Sequence, residues 1–417
     1  MSLQAAALRP IALDLTPVEV AARCRHLADL VFFDTSLDTG LPSAISIVAA
    51  NPRRILRGHI AADWHALQSA LAELRHECCD DGLPHGFAAG FVEYDGAFRF
   101  GIHHDALIFR HADHTWLELG DLRAHFSDIA EPAAEPPFFT PALDREHFCR
   151  MVARAQEYIR AGDIYQVNLA HRFTAAWSGD PFALYESLRH YSPAPHAAFM
   201  QHEGRAILSA SPELFLKMSD RAIRTRPIKG TRPRRADLHA DEKSAYDLIT
   251  SPKEIAELVM ITDLERHDLG QVCEFGSVSV AELLKLERFE QVFHLVSTVE
   301  GRLRPEVDHP AALRACFPGG SITGAPKKRA REIIAELEPA PRGLYTGALG
   351  WFGFNGESQF NIAIRTVVIE NALAHFHVGA GIVADSIAEN EWQETLDKAA
   401  GILLAAERLG AGASRVR

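Results

Sequence analysis

The sequence lacks the features that usually identify membrane, secreted and nucleic-acid-binding proteins. It contains no apolar run of about eighteen residues, which argues against a membrane-spanning helix. Its first ten residues lack the basic and apolar pattern of a signal peptide. The formal net charge is −12 and no stripe of lysine and arginine stands out, so neither a membrane nor nucleic acid is an expected partner.

Cysteine is scarce and irregularly placed, with six residues in a chain of 417. Cys78 and Cys79 are adjacent and therefore poorly placed to bridge each other, and no pair has the spacing of a metal site. A chain of this size with such a pattern is typical of a reduced protein, and we expect a cytoplasmic one.

The length exceeds what one hydrophobic core usually supports, so we expect two lobes. Residues 131–141 hold four prolines and indicate the boundary between them. The predicted division is an N-terminal lobe, 1–140, without recognisable site chemistry, and a catalytic core, 141–417.

Regular patterns fill the second part of the chain. Apolar residues from Phe148 to Ile159 recur at helical spacing, and Gly162 fits the end of that helix. Residues from Ile164 to Phe173 alternate as in a strand, which places Gln166 on a polar face. Grouped strands and helices favour an α+β fold over a parallel sheet. Further predicted elements are strands over Ala206–Met218 and Ala222–Lys229, three strands of an antiparallel meander between Tyr345 and Val378, and helices opened by capping boxes at Ser251–Glu254 and Ser386–Glu389.

A glycine-rich segment, FPGGSITGAPK, runs from Phe317 into a predicted helix near Pro326. Free backbone N–H groups at such a junction can bind an anion, and a small carboxylate is the functional interpretation. The segment lacks the order of a phosphate P-loop, and a plain tight turn explains it equally well.

Two predicted helices each carry glutamates one turn apart. Glu254 and Glu257 share a face of one helix, and Glu391, Glu394 and Lys398 share a face of another. If the helices met, a glutamate from each could hold Mg²⁺. The alternatives are a capping role for Glu254 and a solvated charged stripe on the last helix.

Two basic residues stand in positions suited to a site. Lys229 ends a strand before Gly230, and neighbouring Arg226 and Arg232 would lower its pKa and free the amine as a nucleophile. Arg365 alternates with apolar residues in a predicted strand, so it is either paired or binds a carboxylate. An exposed loop lysine is the ordinary alternative for Lys229.

Taken together, these motifs resemble the chorismate-utilising enzymes, whose members include anthranilate, aminodeoxychorismate, isochorismate and salicylate synthases. The matching stretches are collinear over residues 144–409. They are GDIYQVNLAHRF (162–173), SPELFL (211–216), RPIKGTRPR (226–234), SPKEIAELVMITDLERHDLG (251–270), the run from Gln291 to Gly301, FPGGSITGAPKKRA (317–330), FNIAIRT (360–366) and GAGIVADS (379–386).

The resemblance implies a sandwich of two antiparallel sheets with helices outside, and a site that binds chorismate. It implies Mg²⁺ held by Glu257 and Glu394, and Glu213 as general acid or base near the C4 hydroxyl. Two positions depart from the family pattern: Ala380 replaces a common glycine and would stiffen a ligand-facing turn, and His267 replaces asparagine. The residues implied to bind or line the substrate are Thr231, His294, Tyr345, Arg365, Gly379, Ala380, Gly381 and Lys398.

Two positions select a branch within the family. Isochorismate and salicylate synthases carry at the position of Gln166 a lysine that activates water, which a neutral amide cannot do. Anthranilate synthases usually read PIAGT, whereas this chain reads PIKGT, as aminodeoxychorismate synthases do. The resemblance thus implies that Lys229 attacks C2 and expels the C4 hydroxyl, and that ammonia then attacks C4 and expels the lysine. It also implies that the product serves p-aminobenzoate and folate synthesis.

The source of ammonia is not visible in the sequence, because no cysteine lies in the Gly-x-Cys-x-Gly elbow of a glutaminase. A separate glutaminase subunit is therefore the expected partner. Two alternatives stay open at this point: anthranilate synthase component I, which would also eliminate pyruvate, and a catalytically idle scaffold.

Overall fold

The computed structural model describes residues 8–37, 43–76, 81–128, 135–289 and 292–409 of the protein. Its strands form a sheet of twelve and a sheet of ten, and neighbouring strands are antiparallel in both. The two sheets pack face to face with helices outside them, which confirms the predicted α+β sandwich. Cys78, Cys79, Gln291 and the proline-rich residues 131–134 lie outside the described residues.

Elements are numbered in chain order. The first sheet contains β1 (Arg9–Ile11), β2 (Leu30–Asp34), β3 (Ile45–Ala49), β7 (Ala106–Arg110), β8 (Thr115–Leu119), β9 (Thr140–Pro141), β10 (Gln166–Ala176), β11 (His196–His202), β12 (Arg205–Ser211), β18 (Gly324–Ala325), β21 (Thr366–Glu370) and β22 (Leu373–Ile382). The second contains β4 (Arg54–His59), β5 (Phe87–Val92), β6 (Ala97–His103), β13 (Leu214–Ser219), β14 (Ala222–Arg226), β15 (Ile228–Pro233), β16 (Ser279–Arg288), β17 (Val292–Arg302), β19 (Ala348–Gly353) and β20 (Glu357–Ile362). The helices are α1 (Pro17–Cys24), α2 (Trp64–Leu74), α3 (Arg145–Ala161), α4 (Pro181–Tyr191), α5 (Leu238–Ile249), α6 (Pro252–Gly270), α7 (His309–Cys316), α8 (Lys327–Leu337) and α9 (Ala388–Glu407).

The core lies in layers that follow from this arrangement. Apolar side chains of both sheets meet between them, for example Phe87 and Trp351 from the second sheet with Ile207 and Val368 from the first. Helices α1, α4 and α9 cover the outer face of the first sheet, and α2, α6 and α7 that of the second. No helix of the described ranges is long and apolar enough to cross a membrane.

Both parts of the chain contribute to both sheets. Strand β2 pairs with β11 in the first sheet, where Phe32 lies opposite Phe199. Strand β5 pairs with β19 in the second, where Gly90 lies opposite Gly350. Residues before and after the proline-rich segment are thus neighbours within each sheet.

Three predicted strand boundaries are wrong: at two of them the chain crosses to the other sheet, and at the third a proline interrupts the strand. The strand predicted over Ala206–Met218 is two strands, β12 and β13, which lie in different sheets and are separated at Pro212. Pro227 interrupts the strand predicted over Ala222–Lys229, since proline cannot donate to a strand ladder, and β14 and β15 on either side of it both pair with β17 in the second sheet. The meander has four strands because it breaks again at 363–365.

Both predicted capping boxes are also wrong in part. The Ser251 hydroxyl accepts from the Glu254 amide at 3.4 Å, but the Glu254 carboxylate points to Arg232 instead of back to the cap. At the start of α9 no side chain caps the helix, and Ser386 donates to Glu391 at 2.8 Å. The predicted helix stop at Gly162, with φ of 82°, is confirmed.

A buried ion pair joins several of these elements. The Arg342 guanidinium donates to both carboxylate oxygens of Glu338, at 2.6 and 2.9 Å. It also donates to the carbonyls of Ile322 at 3.0 Å and Asn168 at 2.7 Å, and to the Thr346 hydroxyl at 3.1 Å. Helix α8, strand β10 and the glycine-rich loop are therefore held by one side chain.

We predict that Arg342→Met destabilises the protein by about 3–5 kcal/mol, because it leaves the Glu338 charge buried without its partner. Shifts of the urea unfolding midpoint measure this. The double variant Arg342→Met/Glu338→Leu should recover part of the loss, since it buries no lone charge. Arg329→Ala, which removes ion pairs that are partly exposed to solvent, serves as the control, and equal effects of R342M and R329A would contradict the prediction.

Candidate functional site

The candidate site lies where the chain crosses between the two sheets. One crossing joins β12 to β13 through Glu213, and the other joins β20 to β21 through residues 363–365. The crossings lie side by side: the Ile362 amide donates to the Glu213 carbonyl at 3.1 Å, and the Ala210 amide donates to the Arg365 carbonyl at 3.0 Å. The fold therefore brings Glu213 and Arg365 together although they are far apart in sequence.

Glu213 is a buried carboxyl group with a single side-chain hydrogen-bond donor, the Ser321 hydroxyl at 2.7 Å. Burial raises its pKa, and the Ser321 hydrogen bond and the charge of Lys229 oppose that shift. A carboxyl group with a raised pKa holds its proton more readily and is suited to act as a general acid.

Lys229 contacts the same residue as Glu213. Its ammonium group donates to the Ser321 carbonyl at 3.1 Å. Its positive charge lowers the pKa values of Glu213, Glu257 and Glu394, so these carboxylates face it.

The expectation that cations surround Lys229 is wrong. Arg226 pairs with Glu287 at 2.5 Å, and Arg232 lies 3.6 Å from Glu254. The charges of Arg226 and Arg232 are thus each neutralised by a carboxylate. The charged groups around Lys229 itself are acidic.

Gly230 shapes the backbone after Lys229. It has φ of 76°, and the register between β15 and β17 shifts at this point. A Cβ atom here would lie 2.6 Å from Leu248 and 3.0 Å from the Glu254 carboxylate. Glycine is therefore required both by the conformation and by the close approach of α5 and α6.

Thr231 and His294 lie opposite each other on β15 and β17, with 2.9 Å between the Thr231 hydroxyl and Nδ1 of His294. Burial, and then the charge of Arg365, lower the pKa of His294 to about 3. The imidazole is therefore neutral at physiological pH and can orient the threonine hydroxyl.

Arg365 has a backbone conformation in the left-handed region, with φ of 50°. Among the described residues, no carboxylate forms a salt bridge with its guanidinium, and burial lowers its pKa. A desolvated guanidinium without a protein counter-ion is suited to bind the carboxylate of a ligand.

Strand β22 offers a surface without side chains beside this arginine. A Cβ atom on Gly379 would lie 2.8 Å from the Tyr345 hydroxyl, and one on Gly381 would lie 2.5 Å from Nε2 of Gln166. The Lys398 ammonium donates to the Gly379 carbonyl at 2.8 Å and to Glu394 at 2.7 Å.

Ala380 lies within this strand and not in the expected ligand-facing turn, so that expectation is wrong. Side chains alternate across a strand, and the methyl group of Ala380 packs in an apolar cluster with Val167 and Leu169. Alanine is tolerated there because its side chain points away from the glycine surface.

The two acidic helices meet. Lys253 on α6 lies 3.1 Å from Glu391 on α9 and 3.9 Å from Glu257 on its own helix. Burial raises the pKa of Glu257, and the charges of Glu254 and Glu394 raise it further. One oxygen of Glu257 and one of Glu391 are buried without a hydrogen-bond partner.

These residues fit a magnesium ion better than a transition metal. Within the described ranges, no group of three or more histidine, cysteine or acidic residues could hold a metal. Magnesium commonly takes only one or two protein carboxylates and completes its shell with substrate oxygens and water. Glu257 and Glu394 offer two carboxylates, and the unpartnered Glu257 oxygen would gain a cation.

The glycine-rich loop faces the protein's own carboxylates. The Gly320 amide donates to Glu265 at 3.1 Å, and Ser321 contacts both Glu213 and Lys229. Sequence reasoning identified the loop but neither Ser321 nor Glu265. No spacing signal distinguishes them, because their partners lie on other elements.

Comparison with known proteins identifies the family of the chain. The profile of the chorismate binding enzyme family matches residues 48–404. The chain is 42% identical over 69% of its length to aminodeoxychorismate synthase component 1 of Bacillus subtilis, covering 60% of that relative. It is 36% identical to anthranilate synthase component 1 of Methanothermobacter thermautotrophicus over 90% of the chain and 88% of the relative.

Solved structures of other proteins have a similar fold. Anthranilate synthase component I from Streptococcus pneumoniae superimposes with a TM-score of 0.76 at 31% identity, covering 87% of this chain and 93% of that one. The isochorismate synthase MenF from Escherichia coli has a TM-score of 0.79 at 20% identity, covering 96% and 94%. The match spans about 55–61% of the length of several relatives, including the B. subtilis protein.

The family profile and these identities, together with the two-sheet fold, lead to one conclusion: this chain belongs to the chorismate binding enzyme family.

Proposed function

We propose that the protein is component I of aminodeoxychorismate synthase, which converts chorismate and ammonia into 4-amino-4-deoxychorismate on the way to p-aminobenzoate and folate. The observation that carries the proposal is the meeting of the Lys229 amine and the Glu213 carboxyl group on one residue, Ser321. An amine nucleophile and an acid held together can attack one carbon of a ring and release a hydroxyl from another.

The proposed substrate contacts are polar groups that lack a charged protein partner or that lie close to the backbone of β22. Arg365 and Lys398, with the Gly379–Gly381 backbone and the Tyr345 hydroxyl, are the proposed contacts for the carboxylates of chorismate. Thr231 and neutral His294 would line the ring on the side of β15 and β17. Charge-assisted hydrogen bonds from arginine and lysine suit such a dianion.

Glu257 and Glu394 are the residues that would hold Mg²⁺. When bound, the ion would neutralise and polarise a carboxylate of the substrate. The chain supplies the two ligands from α6 and α9, and Lys253 fixes the distance between these helices by pairing with Glu391.

The proposed reaction uses two steps with matched proton transfers. Lys229 attacks C2 as a neutral amine, the ring double bonds shift, and the C4 hydroxyl leaves as water with the proton of Glu213. Ammonia then attacks C4, the double bonds shift back, and Lys229 leaves C2 as a neutral amine. The ammonium group formed at C4 gives its extra proton to Glu213. Water addition at C2 is disfavoured because Gln166, a neutral amide, cannot act as a base.

Anthranilate synthase component I is the alternative, because the relatives are divided between the two names. Its reaction needs ammonia at C2 and the loss of pyruvate, and it needs no covalent lysine. The residue at position 229 is the feature that favours the first proposal.

A glutaminase subunit is the proposed source of ammonia. The motivation is the absence from the sequence of a glutaminase nucleophile elbow. Relatives carry the name component 1, which accords with a second subunit.

We predict that Lys229→Arg and Lys229→Ala both lose aminodeoxychorismate formation. Arginine keeps the charge, but with a pKa above about 12 it cannot offer a free amine. Product formation by liquid chromatography and peptide mapping of a reaction quenched without ammonia are the measurements, and the adduct should lie on Lys229 alone. An active arginine variant without any adduct would overturn the nucleophilic role.

We predict that Glu257→Gln and Glu394→Gln abolish turnover with little effect on unfolding, because each removes a charged ligand while keeping the volume. Calorimetric titration of Mg²⁺ in the presence of chorismate should show lost binding in both. Glu389→Gln, at an exposed position on α9, is the matched control. Turnover that survives EDTA, or unchanged binding in both variants, would disprove the metal site.

We predict that the purified chain turns over chorismate with high ammonium and uses glutamine only after a glutaminase subunit is added. Turnover with each nitrogen source, with and without that subunit, is the measurement. Glutamine-dependent activity from this chain alone would refute the partner.

A further inference from the structure

Ser321 lies between Lys229 and Glu213 and contacts both of them. The Ser321 hydroxyl donates to Glu213 at 2.7 Å, and the Ser321 carbonyl accepts from the Lys229 ammonium at 3.1 Å. One residue thus contacts the proposed acid through its side chain and the proposed nucleophile through its backbone. Ser321 is itself buried, with a relative exposure of 4%, so water does not readily replace these contacts.

The adjoining peptide is held from the opposite side by α6. The Gly320 amide donates to the Glu265 carboxyl at 3.1 Å, and Glu265 is buried. A Cβ atom on Gly320 would lie 2.5 Å from Leu264, so the loop and the helix approach as closely as glycine allows. Ser321 can therefore not move away from Lys229 and Glu213 without breaking a buried hydrogen bond.

Both ends of the loop are fixed as well. The Lys327 ammonium donates to Asp268 of α6 at 2.6 Å and to the Cys316 carbonyl at 2.9 Å, which joins the two ends of the loop. Strand β18 pairs with β10, with Ala325 opposite Gln166. The loop is therefore tied to α6 and to β10.

We propose that Ser321 is a positioning residue for the reaction: it fixes the distance between Lys229 and Glu213, and Glu265 anchors it through the Gly320 amide. This inference rests on the proposed roles of Lys229 and Glu213. Neither Ser321 nor Glu265 contacts the substrate in this account, and both act through other groups.

The groups around Glu213 determine in which direction the pKa of Glu213 shifts when the Ser321 hydroxyl is removed. Lys229 from β15 and Lys398 from α9 favour its ionised form, and the Glu265 carboxyl group lies behind the loop on α6. The Ser321 hydroxyl also favours the ionised form, because it donates to the carboxylate. Its removal therefore raises the pKa of Glu213 and leaves the carbonyl that binds Lys229 in place.

The first experiment is Ser321→Ala compared with the wild type. The rate of chorismate consumption should fall about tenfold or more, as expected for loss of a hydrogen bond to a charged group. The limb of the pH–rate profile that requires protonated Glu213 should move to higher pH. A fall in rate without movement of that limb indicates a merely structural role and overturns the proposal.

A second measurement does not need turnover. Infrared difference titration of the protein, with the Glu213 band assigned by its loss in Glu213→Gln, should show a higher titration midpoint in S321A than in the wild type. Equal midpoints overturn the proposal even if the wild type proves inactive. Chorismate consumption and the infrared band do not depend on which product forms, so they test the role of Ser321 alone. The proposed function is tested separately, by analysis of the product.

The anchor is tested by a pair of variants. Glu265→Gln keeps an acceptor for the Gly320 amide and should retain most of the activity, whereas Glu265→Leu removes it and should reduce the rate about as much as S321A. Exposed Asp263→Asn on the same helix is the control. Equal activity of E265Q and E265L, with both folded by circular dichroism, contradicts the anchoring role.

Discussion

The site depends on the buried ion pair between Arg342 and Glu338. A charged pair inside a protein is favourable only if hydrogen bonds satisfy the remaining donors and acceptors. Here they do, because Arg342 also donates to the backbone of the glycine-rich loop and of β10, and Glu338 accepts from the Ala170 amide at 2.8 Å. The loop that carries Ser321 and the strand that carries Gln166 are thereby held in one fixed relation.

The chemistry follows from where the chain crosses between sheets. A strand interior directs side chains alternately to its two faces, whereas the two crossings place Glu213 and Arg365 on adjacent backbone segments. The left-handed conformations of Arg365 and of Thr346, with φ of 50° and 61°, lie at or next to the second crossing. Non-glycine residues in this region cost free energy and are frequent at functional sites, which agrees with a guanidinium directed toward a ligand.

Much of the fold could be predicted from the sequence, and the site only in part. Periodicity predicted the long helix ended by Gly162 and the strand that contains Gln166, because these depend on local pattern. The crossings at Glu213 and Arg365 were missed because apolar residues flank both of them, so each crossing was interpreted as part of a continuous strand. Arg226 and Arg232 were interpreted as free cations next to Lys229, because their partners Glu287 and Glu254 come from distant segments. Ser321 shows the same limit, as its importance depends on two contacts made across the fold.

We propose that this site replaces the C4 hydroxyl of chorismate by an amine through Lys229. Mass spectrometry of the product formed from chorismate, Mg²⁺ and ammonium tests it most directly. We expect aminodeoxychorismate, which retains the enolpyruvyl group and carries an amine in place of one hydroxyl. Anthranilate, released together with pyruvate, would contradict it and would identify the protein as the other branch of the family.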